Sequence, residues 1–245
     1  MKKKIICVIS ARGGSKGLPN KNIKKLLNKP LIVWSIEQAK KIKEIDRVVV
    51  CTDSKKIQSI SIKAGAEAPF LRPKNLSTSQ TGKFKVFKYA LDMCEKYYKE
   101  NYEIYLDLDC TNPLRSFKDI SNCISKFRKL KKRKKVDAVF TVCDARKNPY
   151  FNLLELKNDG SLKISKKLKN NIIRRQDAPK VFEHVASIYA IDPDYIKKAN
   201  YLLDGNTVGY NIGQHKSLDI DSKFDYELIE FLLKKNEKYI DRDKK

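Results

Sequence analysis

The sequence predicts an α/β fold with a mostly parallel, doubly wound sheet, and three observations predict it. Short apolar runs rich in β-branched residues alternate with segments of helical spacing. A glycine-rich loop follows the first run, and in such sheets ligands bind beyond the carboxyl ends of the strands. The alternation loosens once, between residues 148 and 180, into short, polar-interrupted segments.

The elements follow in order. Lys4 to Ser10 is continuously apolar, as suits a strand buried on both faces of a parallel sheet. Leu31 to Lys43 places Ile32, Ile36, Ala39 and Ile42 at helical spacing, and Arg47 to Cys51 is a second buried strand. Lys55 to Ala64 is a helix turning Ile57, Ile60 and Ala64 inward, and Glu67 to Phe70 is a short third strand. Lys83 to Lys96 is a helix carrying Val86, Phe87, Ala90, Leu91 and Cys94, and Ile104 to Leu108 is a fourth strand. Ile120, Ile124 and Phe127 mark an amphipathic helix whose end is the run Lys129 to Lys135, and Val136 to Cys143 is a further strand. Tyr150 to Leu156, Leu162 to Ile164 and Ile172 to Ile173 then surround a hairpin turn at Asn158-Asp159-Gly160. Ser187 to Ile191, Tyr195 to Ala199, Val208 to Ile212 and Phe224 to Lys235 close the chain as strand, short helix, strand and helix. Residues 1–147 and 181–245 therefore form one α/β domain, and 148–180 is a β-rich excursion from it.

Composition narrows the function classes. With 41% hydrophobic and 33% charged residues, the 245-residue chain belongs to the globular class. No apolar run approaches the ~18 residues that a bilayer needs. The basic start, Met1 to Lys4, precedes an apolar stretch too short for a signal peptide, so a cytoplasmic location is expected. The net charge of +24 is carried mainly by Lys, which solvates surfaces, and nucleic-acid readers lean instead on the bidentate Arg fork. A Lys-rich nucleic-acid-binding protein is therefore a reading favoured by charge alone; neither nucleic acid nor membrane is the expected partner. The six cysteines form no CxxC pair and read as reduced, mostly buried thiols.

The loop Ala11 to Asn22 combines three glycines with Arg12, Lys16 and Lys21, a combination that cradles phosphates. It matches neither the Rossmann GxGxxG nor the P-loop order. Asp107 and Asp109 stand two apart at the end of the fourth strand. A buried carboxylate pair there is costly without a cation or donor nearby. His184 and His215 are assigned no catalytic role.

Six ordered segments carry a resemblance. Ala11 to Asn22 resembles the ARxxSKGxPxKN signature of the acylneuraminate cytidylyltransferases, the CMP-sialate synthetases and their relatives for bacterial nonulosonic acids. Cys51-Thr52-Asp53 resembles that family's STD, Leu71-Arg72-Pro73 its LRP, and Thr111-Asn112-Pro113-Leu114-Arg115 its TSPLR. Arg175-Gln176 to Pro179 resembles its RQxxP, and Ser217-Leu218-Asp219-Ile220-Asp221 its SIDID; the match spans roughly residues 4 to 233.

The resemblance implies a Rossmann-like nucleotidyltransferase in which the anomeric hydroxyl of a nine-carbon 2-keto sugar acid attacks the α-phosphate of CTP, giving CMP-sugar and pyrophosphate. It implies nucleotide contacts from Ala11, Arg12, Gly13, Ser15, Lys21, Asn22 and Arg72, with Arg12, Lys21 and Asp221 at the catalytic centre. Asp109, Arg175, Gln176 and Tyr189 fall on the sugar. Asp219 and Asp221, two apart in an extended segment, point one way and share Mg²⁺, with Asp109 as a possible third ligand. It also implies a homodimer docked through residues 148–180, with Arg175 gripping the sugar carboxylate.

Departures from the family pattern cluster at the sugar end. Asp109 replaces Gln, Cys110 replaces Pro, Asn112 replaces Ser, and Val185-Ala186-Ser187-Ile188-Tyr189 stands for NGAIY. Asn148 to Asn152 carries an aromatic where a subfamily has Lys, and Thr78-Ser79-Gln80-Thr81 lacks the acid of the family's SDT. Small and apolar residues suit a deoxy sugar of the legionaminate or pseudaminate type. The rival is a cytidylyltransferase for another 2-keto-3-deoxy sugar acid, which the SKGLPNKN loop fits poorly.

Overall fold

The computed structural model describes residues 4–15, 17–169 and 173–235; Lys16 of the glycine-rich loop and Ile172 of the excursion lie outside them. In chain order the strands are β1 (Lys4–Ser10), β2 (Lys25–Leu26), β3 (Lys29–Pro30), β4 (Arg47–Cys51), β5 (Tyr102–Leu108), β6 (Ala138–Asp144), β7 (Leu154–Leu156), β8 (Leu162–Ile164), β9 (Phe182–Ile191) and β10 (Thr207–Asn211). The helices are α1 (Leu31–Lys40), α2 (Lys55–Lys63), α3 (Lys83–Tyr98), α4 (Phe117–Lys132), α5 (Pro193–Lys198) and α6 (Lys223–Lys235). The expected third strand at Glu67 to Phe70 is instead two isolated parallel bridges, Val49 to Glu67 and Thr52 to Leu71, which lay that segment along β4.

The main sheet has the order β10-β6-β9-β5-β1-β4. β1 is parallel to β4 and β5, and β10 is parallel to β6, while β9 runs antiparallel to both β5 and β6. The reversal has a topological cause. A parallel return needs a crossover, and the segment joining β6 to β9 is the excursion, which leaves and re-enters at one end of the sheet and so acts as an overgrown hairpin. The result is a mostly parallel sheet with one inverted strand.

Alternation along β1 assigns the two faces. Ile5, Cys7 and Ile9 pack with Ile32 and Ile36 of α1, Ile57 of α2 and Ile124 and Phe127 of α4. Ile6 and Val8 pack on the other face with Phe87 and Leu91 of α3 and Ile196 of α5. A third cluster joins Ile229 and Leu233 of α6 to Leu18, Leu26, Leu31 and Ile220, so the closing helix fastens the glycine-rich loop to the 217–221 segment. The Ser54 side chain caps α2, and Ser116 with Asp119 forms a capping box on α4. All six thiols are buried and unbridged. Lys129 and Lys131 lie in the last turn of α4, and the exposed residues that follow make the turn expected of that lysine run. Among the described residues no helix is long and apolar enough to cross a membrane.

In the excursion, β7 and β8 pair only with each other around Gly160, whose φ of 81° belongs to the left-handed region. An isolated two-stranded hairpin is marginal in water. Its apolar side chains Leu154, Leu156 and Leu162 are exposed, as are Ile173 and Phe182 beyond it.

Candidate active site

A cleft of about 340 Å³ opens at the carboxyl ends of β1, β4 and β5, within the size range of small-molecule sites. Arg12, Ser15, Gly17, Lys21, Asn22 and Arg72 line it together with Asp109 and Asp221. Seven of the residues singled out from the sequence thus share one cavity. The cleft also takes Lys83, Thr78, Ser79 and Thr81.

The glycine-rich loop is held by its backbone. Ala11 is buried and donates its N–H to the Cys51 carbonyl at 3.1 Å, and the Gly13 N–H donates to Asp53 Oδ1 at 2.8 Å. The match at Cys51-Thr52-Asp53 therefore has a mechanical content, since Asp53 pins the loop. Asn22 is buried and staples it from below, donating Nδ2 to the Arg12 carbonyl at 2.9 Å and accepting from Cys110 Sγ at 3.0 Å. Among the loop's glycines, Gly14 has open space around it, and none of the three has a positive φ. Gly17 is required for approach: a Cβ there would sit 2.3 Å from the Asp221 carbonyl oxygen.

Lys21 ties the two sides of the mouth together. Its ammonium donates to the Ile220 carbonyl at 2.6 Å and to Asp221 Oδ1 at 3.0 Å. Ile220 is fully buried between a half-buried Asp219 and an exposed Asp221. The motif Thr111 to Arg115 is the frame behind that segment. Asn112 donates to the Lys216 and Leu218 carbonyls at 2.9 and 3.1 Å, and Thr111 O accepts from the Ile220 N–H at 2.9 Å. The buried Arg115 guanidinium donates to the Asp109 and Asn112 carbonyls and to the Ser35 hydroxyl. Arg72 is also buried, with its N–H on the Thr52 carbonyl and its Nε on the Ser77 hydroxyl.

The carboxylates divide into two pairs. Lys83 Nζ lies 2.8 Å from Asp107 Oδ1 and 2.7 Å from Asp109 Oδ2, supplying the cation that two buried acids require. Burial opposes the Asp109 charge, but Lys83 and the N–H and hydroxyl of Thr111 outweigh it and hold this carboxyl at about 2. Asp107, fully buried and with fewer donors, is pushed up to about 6, chiefly by burial. Burial alone would lower Lys83, yet the two carboxylates hold it well above its ordinary value. The second pair is Asp219 and Asp221. Asp219 is raised to about 7, first by burial and then by the Asp109 and Asp221 charges, and its Oδ1 is buried without a hydrogen-bond partner. An orphaned, charge-crowded oxygen beside an exposed carboxylate is a donor set that fits a hard divalent cation. Among the described residues no three His, Cys, Asp or Glu side chains converge as a ready-made metal cluster.

Three expected sugar residues lie away from the cleft wall. Tyr189 is buried, its ring 4.3 Å below Lys83 Nζ and packed on Phe87 and Phe140. Arg175 and Gln176 are exposed in a one-turn helix, where Arg175 donates to the Ala145 and Arg146 carbonyls. Neither histidine lines the cleft. His184 packs on Phe140 and Tyr189, with its pKa lowered first by burial and then by Lys83.

A family model described as Cytidylyltransferase matches residues 6–244. The chain belongs to the cytidylyltransferase family. The enzyme is 37% identical over 230 residues to Post-translational flagellin modification protein B of Campylobacter coli, covering 94% of this chain and 95% of that one. It is 38% identical over 229 residues to the CMP-N,N'-diacetyllegionaminic acid synthase of Campylobacter jejuni, covering 94% of each. It is also 30% identical to the N-acylneuraminate cytidylyltransferase of Escherichia coli, covering 98% of this chain but 55% of that one. Among solved structures, CMP:2-keto-3-deoxy-manno-octonic acid synthetase complexed with CTP superposes with a TM-score of 0.71 at 16% identity, covering 96% of this chain and all of that one. At that identity the likeness speaks for the fold.

Proposed function

We propose that the enzyme transfers the cytidylyl group of CTP to a nonulosonic acid of the sialic, legionaminic or pseudaminic type. The observation that carries this reading is the meeting of Arg12, Ser15, Lys21, Asn22 and Arg72 with Asp109 and Asp221 on one cleft. Similarity to the legionaminic acid synthase supports the sugar class. The sugar's anomeric hydroxyl gives up its proton to solvent as its oxygen forms the new bond to the α-phosphorus, the bond to the α–β bridging oxygen breaks, and pyrophosphate leaves. Such a displacement depends on positioning and charge neutralisation more than on covalent chemistry. Backbone N–H groups of the loop, with Ala11 and Gly13 fixing its path, and the Arg12 and Lys21 side chains would hold the triphosphate; Arg72 faces the nucleoside. Asp219 and Asp221 would hold Mg²⁺, which when bound neutralises phosphate charge. Asp109, Tyr189, Arg175 and Gln176 are assigned to the sugar end: Tyr189 from beneath Lys83, Arg175 and Gln176 from the excursion.

Residues 1–147 and 181–245 serve as the catalytic domain, and 148–180 as the dimerisation element. The exposed Leu154, Leu156, Leu162, Ile173 and Phe182 support this, because a second copy would bury what the hairpin leaves in water. A monomer by sedimentation at micromolar concentration would defeat the dimer. The buried free thiols suit a reducing compartment, and the enzyme is placed in the cytoplasm, a location that cell fractionation checks. The central experiment is pyrophosphate release from CTP with a panel of nonulosonic acids, with and without Mg²⁺. Turnover is expected with at least one of them, only with the cation; turnover confined to a 3-deoxy-octulosonic acid would overturn the sugar assignment.

A further inference from the structure

Two aspartates two positions apart at the end of a central strand are the side chains a divalent cation would be expected to take, and here an ammonium already sits between them. Lys83 Nζ touches Asp107 and Asp109 at 2.8 and 2.7 Å, with the Tyr189 ring 4.3 Å away on another side. The lysine is placed firmly. It opens α3, whose Phe84, Phe87 and Leu91 anchor the helix in the core. Its two partners are placed as firmly. Asp107 is in the middle of a register in which it faces Val8 on one side and Tyr189 on the other. Asp109 Oδ1 is occupied by the N–H and hydroxyl of Thr111 at 2.9 and 2.8 Å, so Oδ2 is the oxygen left for a cation, and Lys83 holds it. A divalent ion on these oxygens would have to sit about 2.0–2.6 Å from them, within the space the ammonium fills and against its charge.

We infer that Lys83 is a built-in monovalent cation that takes a metal's place on Asp107 and Asp109, so that divalent metal is confined to Asp219 and Asp221. Lys83 is thereby a positioning residue: it fixes the Asp109 carboxylate as a hydrogen-bond acceptor facing the cleft and keeps it out of the metal's ligand set. The inference rests on the reading that Asp219 and Asp221 take the divalent ion, and the arms of the experiment separate the two.

The experiment is Mn²⁺ binding to the intact protein, without nucleotide, followed by the paramagnetic resonance of the free ion. In the wild-type background Asp109→Asn should lower Mn²⁺ affinity by less than about tenfold, the effect of one lost neighbouring charge, and leave the number of ions bound unchanged, whereas loss of a true ligand should cost more. Lys83→Met and Lys83→Ala should each add a second Mn²⁺ site, which a further Asp109→Asn change removes, and Lys83→Arg should keep the wild-type stoichiometry. A merely structural lysine would not change the number of ions bound. A tenfold loss of Mn²⁺ affinity in Asp109→Asn alone, or no additional site in folded Lys83→Met and Lys83→Ala, overturns the inference. Should neither neutral variant fold, the Asp109→Asn measurement decides by itself. Unchanged Mn²⁺ binding in Asp221→Ala would instead count against the proposed metal pair, with the second site in the Lys83 variants still judging this one.

Discussion

Gly17 of the glycine-rich loop packs against the backbone of Asp221, and Gly17→Ala is an economical way to test that this contact organises the cleft. The added Cβ would lie 2.3 Å from the Asp221 carbonyl oxygen, against the 3.4 Å at which ordinary contact begins. Both atoms belong to backbone, so no side-chain rotation relieves the clash, and the two segments must part by about 1 Å, a displacement that can cost on the order of 10²-fold in rate. Parting them also lengthens the Lys21 bonds to Ile220 and Asp221, now 2.6 and 3.0 Å. Overpacking of this kind costs about 1–3 kcal/mol of stability. Gly14→Ala is the matched control, since a Cβ there meets nothing within 4 Å. Pyrophosphate release and thermal unfolding, measured on both variants, should show a loss of about 10²-fold in turnover for Gly17→Ala and a near-wild-type Gly14→Ala. Wild-type turnover in Gly17→Ala would refute the claim that this approach sets the site.

Three further outcomes are expected. Asp221→Ala should cut turnover more than about 100-fold while changing stability by less than about 0.5 kcal/mol, because its side chain is 81% exposed; pyrophosphate release and a melting curve check both halves. Asp219 is raised to about 7, so its contribution to the metal-free protein's stability is present below the ordinary carboxyl range near 4 and is lost as pH rises through 7. Mg²⁺ binding must displace that proton, so Mg²⁺ affinity by calorimetry should fall by about tenfold per pH unit below 7, and a flat profile from pH 5 to 8 would contradict the assignment. Arg175→Lys should raise the KM for the sugar well above any change for CTP, by the equivalent of about 1.5–3 kcal/mol of charged hydrogen bonding, and unaltered sugar kinetics would remove Arg175 from the site.

Much of this molecule is legible in its sequence, and the limits have physical causes. β4 was readable to the residue, because a strand buried on both faces writes an unbroken apolar run, and the glycine-rich loop stood out as well, because few turns need glycine and charge together. The direction of β9 was not readable, since periodicity of two is the same for parallel and antiparallel pairing and only the missing crossover helix hints at the reversal. Lys83 escaped for a different reason. The cost of burying Asp107 and Asp109 demanded a cation, but a chain so rich in lysine offers dozens, and nothing local marks the one at the start of α3. Tyr189 and Arg175 show the converse: motif position named them, and burial in one case and exposure in the other could not be read from a motif.

The inverted strand β9 also fixes the order in which the molecule can be completed during synthesis. By the time residue 144 has been made, β4, β1 and β5 can pair with one another, yet β6 has no neighbour among them, because β9 lies between. The nascent chain therefore holds a three-stranded half-sheet whose β5 edge is open and a stranded β6 beside it. Both wait through the whole excursion until Ile191 has emerged, and β10 can join only on the far side of β6. The join between the two pieces is thus the latest pairing of the sheet's interior and a long-range one, the kind that is slow to form and leaves an edge exposed to other chains meanwhile. A chain cut short within the excursion is left with that open seam at the centre of the sheet rather than at its rim.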